Sequence, residues 1–432
     1  MNKYSLSALV AAGLLAGGLT VGTAQAADLG GNCCADLEER VAELEATVAR
    51  KGNRKVSLTI SGWVAEQVMW WDDGVEQNTY VTGVGSTLAS HFKFAGEAKV
   101  TSDVTAGYLL QIEALTASPL GGQNQGNDDG VQNVLNVLQS YWWSKSNTLG
   151  KISVGQLSPA SDNTAILVDG SGSLVPANWV LFDNIGFALR KNGVAGGGTW
   201  GSLAHCQSGA AGVAGDCGGF AVPGNYVRYD SPTFAGFSVS ADWGEDDAWD
   251  VAARYAGEFG GFKLAVAASY FSQNDEAGAN QRGISHDYWQ IGAYLQHIPT
   301  GLFVLGNYGQ DDTDLPAAVV PVTGEAWYVK AGIRQKWSPL GHTVLFGEYG
   351  QRNDLIDFAT FNPGVVNGSE MTQWGVGVVQ EIDAAAMSLW LMYRSYDAEF
   401  TCTVACGYAG TVATTHELDQ FHVIKFGALI AF

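Results

Sequence analysis

The chain has little charge, and least of all basic charge. Only 15% of its 432 residues are charged, and 22 basic residues stand against 43 acidic ones, a formal net charge of −21. Without a basic surface there is no non-specific nucleic-acid binding, so nucleic acid is excluded as a partner. With 47% hydrophobic residues the chain is too apolar for disorder. Long hydrophobic runs are missing too: beyond residue 26 no stretch approaches the roughly 18 apolar residues of a membrane helix. Neither G-x-S-x-G nor H-E-x-x-H occurs, and His91 and His342 lie outside any such motif, so no enzyme is expected. Zinc needs about four ligands, and His205 beside Cys206 is the only histidine adjacent to a cysteine, so neither a metal nor another cofactor is expected.

Cysteine is sparse at six residues, in three close pairs. Cys206 with Cys217 and Cys402 with Cys406 read as loop-closing disulfides of an oxidising compartment. Adjacent Cys33 and Cys34 cannot easily bridge each other, so free thiols or a bond between chains is expected. Residues 1–26 read as a secretory signal: Lys3, an apolar stretch from Leu6, and the cleavage pattern Ala24-Gln25-Ala26. Residues 27–53 then place Leu37, Val41, Leu44 and Val48 on an a/d stripe, with Asp36 and Glu39 in a capping-box pattern. Two heptads make a short coiled-coil helix that holds only within an oligomer. Val and Leu at its core positions by themselves favour a dimer.

What the chain has in quantity is Gly (56), Trp (14), Tyr (16) and Phe (18), a composition suited to strands and turns. From Lys55 the pattern has period two. Trp327, Val329, Ala331 and Ile333 alternate with Tyr328, Lys330 and Arg334, and Trp249, Val251 and Ala253 with Asp250 and Arg254. A soluble sandwich alternates as well, with its apolar face inward. Here, however, aromatics stand at both ends of apolar faces, as at Trp249 and Tyr255 or Trp327 and Trp337, the spacing of two interfacial girdles. Short connections at 101–103, 258–261, 298–301 and 338–341 alternate with long ones at 72–89, 272–285, 310–324, 351–370 and 397–416. Sixteen strands follow, near 55–71, 90–101, 103–115, 136–145, 150–157, 224–231, 234–243, 248–257, 261–271, 286–297, 301–309, 325–337, 341–350, 371–382, 385–396 and 417–432. The expected fold is all-β: a sixteen-stranded antiparallel transmembrane barrel over 54–432, set in outer-membrane lipid. Counting 182–191 as a strand would break the even parity, so 158–223 reads as one long inserted loop. A last strand running to Phe432 would close the ring against the first.

The block NYVRYDSPTFAGFSVSADW at 225–243 and VGQLSPASDN at 154–163 resemble Gram-negative general porins. With the helix and first strand, the chain is most similar to alphaproteobacterial porins of the rhizobial type. The resemblance implies a homotrimer, against the dimer leaning of the helix core, with the third loop folded into each pore. It implies passive diffusion of ions and small hydrophilic solutes. It implies that loop acids Asp162, Asp169 and Asp183 face wall bases Lys93, Arg228, Arg254, Lys330, Arg334 and Arg394 across a constriction. Phe432 resembles the terminal signal read by the outer-membrane barrel assembly machinery. A substrate-selective channel, for a sugar for example, would show an aromatic ladder along one wall, with Tyr141, Trp143, Tyr328 and Trp390 as candidates. Net charge alone leans slightly towards cations.

Overall fold

A computed structural model describes residues 55–85, 88–120, 122–130, 134–204, 223–245, 247–274, 285–314, 322–356, 366–402 and 414–432. The expected signal segment, the 27–53 helix and Cys33, Cys34, Cys206, Cys217 and Cys406 lie outside these residues. In chain order the strands are β1 (Thr59–Asp72), β2 (Gln77–Gly83), β3 (His91–Lys99), β4 (Val104–Leu115), β5 (Val134–Ser146), β6 (Gly150–Leu157), β7 (Ala188–Lys191), β8 (Val194–Thr199), β9 (Gly224–Asp230) and β10 (Phe237–Gly244). They continue as β11 (Trp249–Phe259), β12 (Phe262–Asn274), β13 (Ser285–His297), β14 (Leu302–Asp314), β15 (Val322–Ser338), β16 (Gly341–Asn353), β17 (Val366–Ile382), β18 (Met387–Cys402), β19 (Thr414–Glu417) and β20 (Phe421–Ala431).

Sixteen of these close a ring of antiparallel neighbours. The order is β1, β3, β4, β5, β6, then β9 through β18, then β20, which pairs back onto β1. Closure leaves no sheet edge, the condition for a sheet to stand in hydrocarbon. The other four strands are accessories. β2 folds back on the outer half of β1, β19 pairs with the end of β18, and β7 and β8 form a hairpin within the inserted loop. The 182–191 stretch thus adds only Ala188–Lys191 as strand, paired with β8 rather than with the wall.

The apolar face points outward. Ile60, Val64, Val251, Val304, Leu391, Phe426 and Ile430 are exposed, whereas Asp250, Lys330, Glu348 and Arg394 are buried inside. Successive side chains alternate across a strand, so one register choice places the mid-strand charges in the lumen. Aromatic pairs ring the long-loop end: Trp249 with Tyr270, Trp289 with Tyr308, Trp327 with Tyr349, and Trp374 with Tyr393, at 5.0 to 5.5 Å between rings. Phe237 against Tyr255, 4.5 Å apart, marks the other end.

Tight turns join strands at the short end. β11 and β12 are linked by Gly260 and Gly261, both with positive φ (56° and 82°), as a two-residue hairpin turn of the I′ kind demands. At the long-loop end, strands run further than the sequence pattern suggests. β12 reaches Asn274 instead of 271, β14 reaches Asp314 instead of 309, β18 reaches Cys402 instead of 396, and β17 begins at Val366 instead of 371. The outward faces of these extensions are polar, as at Asp397 and Glu399 of β18, while its inward Ala398, Phe400 and Cys402 are buried. Beyond the apolar band the outer face can meet water, so backbone pairing continues without an apolar face towards lipid.

Candidate functional site

The inserted loop, described over 158–204, enters the ring and packs on its inner wall. Three sets of contacts hold it. At its start, Ala160 N donates to Asp242 Oδ2 (2.5 Å) and Asp250 Oδ1 (3.1 Å), and Ser161 N to Asp250 Oδ2 (2.7 Å). The Ser161 hydroxyl donates to Asp250 as well. Gln290 accepts from Ala165 N (2.8 Å) and donates to Ser161 O (2.8 Å). These wall groups stand on β10, β11 and β13, where alternation turns them inward.

The second set is Asp169 with Lys330 Nζ at 2.6 Å, both side chains fully buried; the same ammonium donates to Ala177 O (2.7 Å). The third is centred on Asp183. It accepts from Arg394 Nη1 (3.0 Å), Lys425 Nζ (2.9 Å) and Tyr396 Oη (3.0 Å). Arg394 also grips Glu348 through Nε (2.5 Å) and Nη2 (3.0 Å), and Lys425 donates to Pro176 O (2.9 Å). Burial by itself would raise the Asp183 carboxyl; the Lys425 ammonium and the Arg394 guanidinium outweigh it and hold the group below its ordinary range.

Apolar packing completes the seal on that side. Phe187 and Trp200 of the loop meet Trp71, Tyr396 and Phe421 of the wall, with Trp71 and Phe421 stacked at 6.2 Å. At the outer rim, Arg190 bonds Asp73 (2.6 Å) and Glu76 (2.7 Å), tying the β7–β8 hairpin to the turn after β1. Burial would raise Asp73 too, but the Glu76 backbone N–H and Arg190 bring it below the usual carboxylate range.

A cavity of about 170 Å³ stays open between the loop and β1, β3 to β6, β9 and β11. A water molecule occupies roughly 30 Å³ of liquid, so the space holds several waters or one small solute. Lys93, Lys151, Arg228, Arg254 and Asp162 line it. Arg228 reaches Ser158 O (2.9 Å) and Asp230 Oδ1 (2.8 Å); Arg254 reaches Ala160 O (2.5 Å).

The expected site residues therefore separate into two groups. Asp162, Lys93, Arg228 and Arg254 share the cavity. Asp169, Asp183, Lys330 and Arg394 are locked together on the far wall and do not face one another across open space. Arg334 belongs to neither group: it binds Glu381 in bidentate fashion (2.9 and 2.7 Å). Phe432 closes the seam through two backbone bonds with Gly62, each 3.0 Å. Cys402 is disulfide-bonded, and its expected partner Cys406 lies outside the described residues. The aromatic candidates do not share a wall. Tyr141 lines the cavity, Trp390 a separate small one, and Tyr328 is fully buried on Glu348. Sequence reasoning missed Lys151 and Lys425. Lys425 sits between outward Ile424 and Phe426, so strict alternation in the last strand was the available signal.

A family model described as Gram-negative porin matches residues 8–399. No curated protein sequence matches the chain. Among solved structures, the chain is similar in fold to an anion-selective porin from Comamonas acidovorans, at 15% identity and a TM-score of 0.55 over 87% of this chain and 100% of that one. It is similar to OmpT of Vibrio cholerae in its trimer form, at 14% identity and 0.53 over 87% and 99%. It is also similar to Salmonella typhi OmpF in complex with daunomycin, at 13% identity and 0.51 over 88% and 99%.

Proposed function

Since the chain belongs to the Gram-negative porin family, we infer that the cavity between inserted loop and wall is the conducting passage. The protein is an outer-membrane porin, a water-filled channel across the bilayer. The observation that carries the passage assignment is geometric. The ring is apolar outside and charged inside, and its own loop fills one side of the lumen while leaving the other open. Ions and small hydrophilic solutes would cross passively, exchanging part of their hydration for the polar lining. In this reading Asp162, Lys93, Arg228 and Arg254 act on the permeating solute, while Asp169 and Asp183 hold the loop against Lys330, Arg394 and Lys425.

A homotrimer is the assembly we propose. The a/d stripe of 27–53 supports an oligomer, and the trimer form of the Vibrio cholerae relative supports three copies, against the dimer leaning of the Val and Leu core positions. The 1–26 signal, recognition of Phe432 by the assembly machinery, and the rhizobial-type affinity rest on sequence resemblance alone. Single-channel recording of refolded protein in a planar bilayer tests the reading. Ohmic steps in groups of three are expected, and silence in salt would overturn it.

A further inference from the structure

The two sides of the passage differ in chemistry. On the barrel side stand four cations, Lys93, Lys151, Arg228 and Arg254, and the loop contributes a single lining carboxylate, Asp162. Asp230 is shared by two of these cations, Arg228 (2.8 Å) and Lys151 (3.2 Å), and offsets one of their charges, whereas Asp242 and Asp250 accept the backbone amides of Ala160 and Ser161. Asp169 and Asp183 are buried in ion pairs on the opposite wall, with the loop between them and the passage. Lys93 makes no ion pair among the described residues; its ammonium lies 5.7 Å from the Trp63 ring centroid. The acids that give the chain its net charge of −21 therefore leave a positive lining at the narrow place. Charge on the external rim is screened over about 8–10 Å in physiological salt, so the lining dominates.

The loop side bears no cation and is largely apolar, with Asp162, Asn163 and Asn178 among its polar groups. Ile166, Leu167, Leu174, Val180 and Phe182 face the same cavity. A hydrated inorganic ion gains nothing from such a surface, whereas a solute with an apolar body gains from covering it.

We propose that the passage selects organic anions with an apolar body, of the aromatic carboxylate class, over cations and over small anions. The carboxylate would run along the Lys93, Lys151, Arg228 and Arg254 strip while the ring slides on the loop face. This deepens the porin reading and rests on it. A field of one sign in a low-dielectric cleft raises the local concentration of the opposite ion, and the apolar face adds discrimination among anions.

The test uses the refolded full chain in a planar bilayer. Under a potassium chloride gradient the reversal potential should carry the anionic sign, and Lys93→Glu should shift it towards zero. Benzoate should half-block the chloride current at about one-tenth the concentration that acetate needs, the factor that about 1.4 kcal/mol of extra apolar burial supplies. Leu167→Ser, at the half-buried loop face, should narrow that ratio; should this variant fail to fold, the benzoate-to-acetate ratio of the unaltered protein still decides. A cationic reversal potential, or equal half-block by the two acids, would overturn the proposal and leave the porin reading standing. Absence of any conductance would overturn the porin reading itself.

Discussion

Asp183 is the centre of one of the three polar attachments of the loop. It is buried, and it accepts from Arg394, Lys425 and Tyr396 at once. A carboxylate held by two cations has a lower folded pKa than the ordinary 3.8, so its stabilising contribution is complete above that value. The contribution is lost as pH falls through the lower folded value. Channel conductance should therefore be steady from neutral pH down to about 4 and become larger or noisier only below that. A titration of single-channel current checks this, and a change centred near pH 6 would contradict it. Asp183→Asn keeps the shape but strips the countercharge from Lys425 and Arg394. Breaking one partner of a buried pair costs about 3–5 kcal/mol. Loop 158–204 should detach from that wall, raising conductance and exposing the loop to limited proteolysis. Unchanged current and unchanged protease resistance would show that the apolar contacts of Phe187 and Trp200 suffice without the ion pairs.

At the scale of the element, β20 is the closing strand and both its faces are specified. Its outward Phe426 lies opposite Val68 of β1 and Leu391 of β18, all three exposed to lipid. Phe426→Lys should cost about 2–4 kcal/mol, as for a cation on a lipid face near mid-depth. Urea unfolding of the refolded protein in lipid vesicles measures the cost, and a loss below half a kilocalorie would mean that this face is not in hydrocarbon. Removing Phe432 deletes its two bonds to Gly62, worth about 0.5–1.5 kcal/mol each. Outer-membrane yield of the truncated chain should fall much further than in-vitro stability, because the terminal aromatic is also the proposed assembly signal. Equal losses in both measurements would remove the signal role.

For the whole molecule, the sheet is continuous and every wall strand has two neighbours. Local fraying then has no free edge from which to start, and unfolding should be all-or-none. The folded protein should migrate compactly on a denaturing gel without heating and shift in a single step once boiled. A ladder of partly unfolded forms would be inconsistent with a closed ring.

Much of this was legible in the sequence, and the particular residues say why. Trp327 to Trp337 and Trp249 to Tyr255 show period two with charge on one face, and period two leaves no choice about which residues share a side. The even count forced 158–223 to be a loop, and 182–191 indeed adds no wall strand. Strand ends were harder. Asn274, Asp314 and Cys402 lie above the apolar band, where the outward face is polar and no lipid-facing residues mark the strand. The pairing of charges was not legible at all. Nothing local to Asp169 or Asp183 names their partners Lys330, Arg394 and Lys425, which lie 161 to 242 residues away.

Periodicity and parity in the chain are enough to specify an outward-apolar, even-stranded barrel closed by a seam strand. Which acids and bases neutralise one another, and which line the passage, was settled in three dimensions. That outcome depends on where one long loop comes to rest inside the ring. A loop's resting place is set by contacts between distant positions: Asp183 with Lys425, Phe187 with Phe421, and Ala160 with Asp250. Distant pairings of this kind leave no periodic trace in the chain.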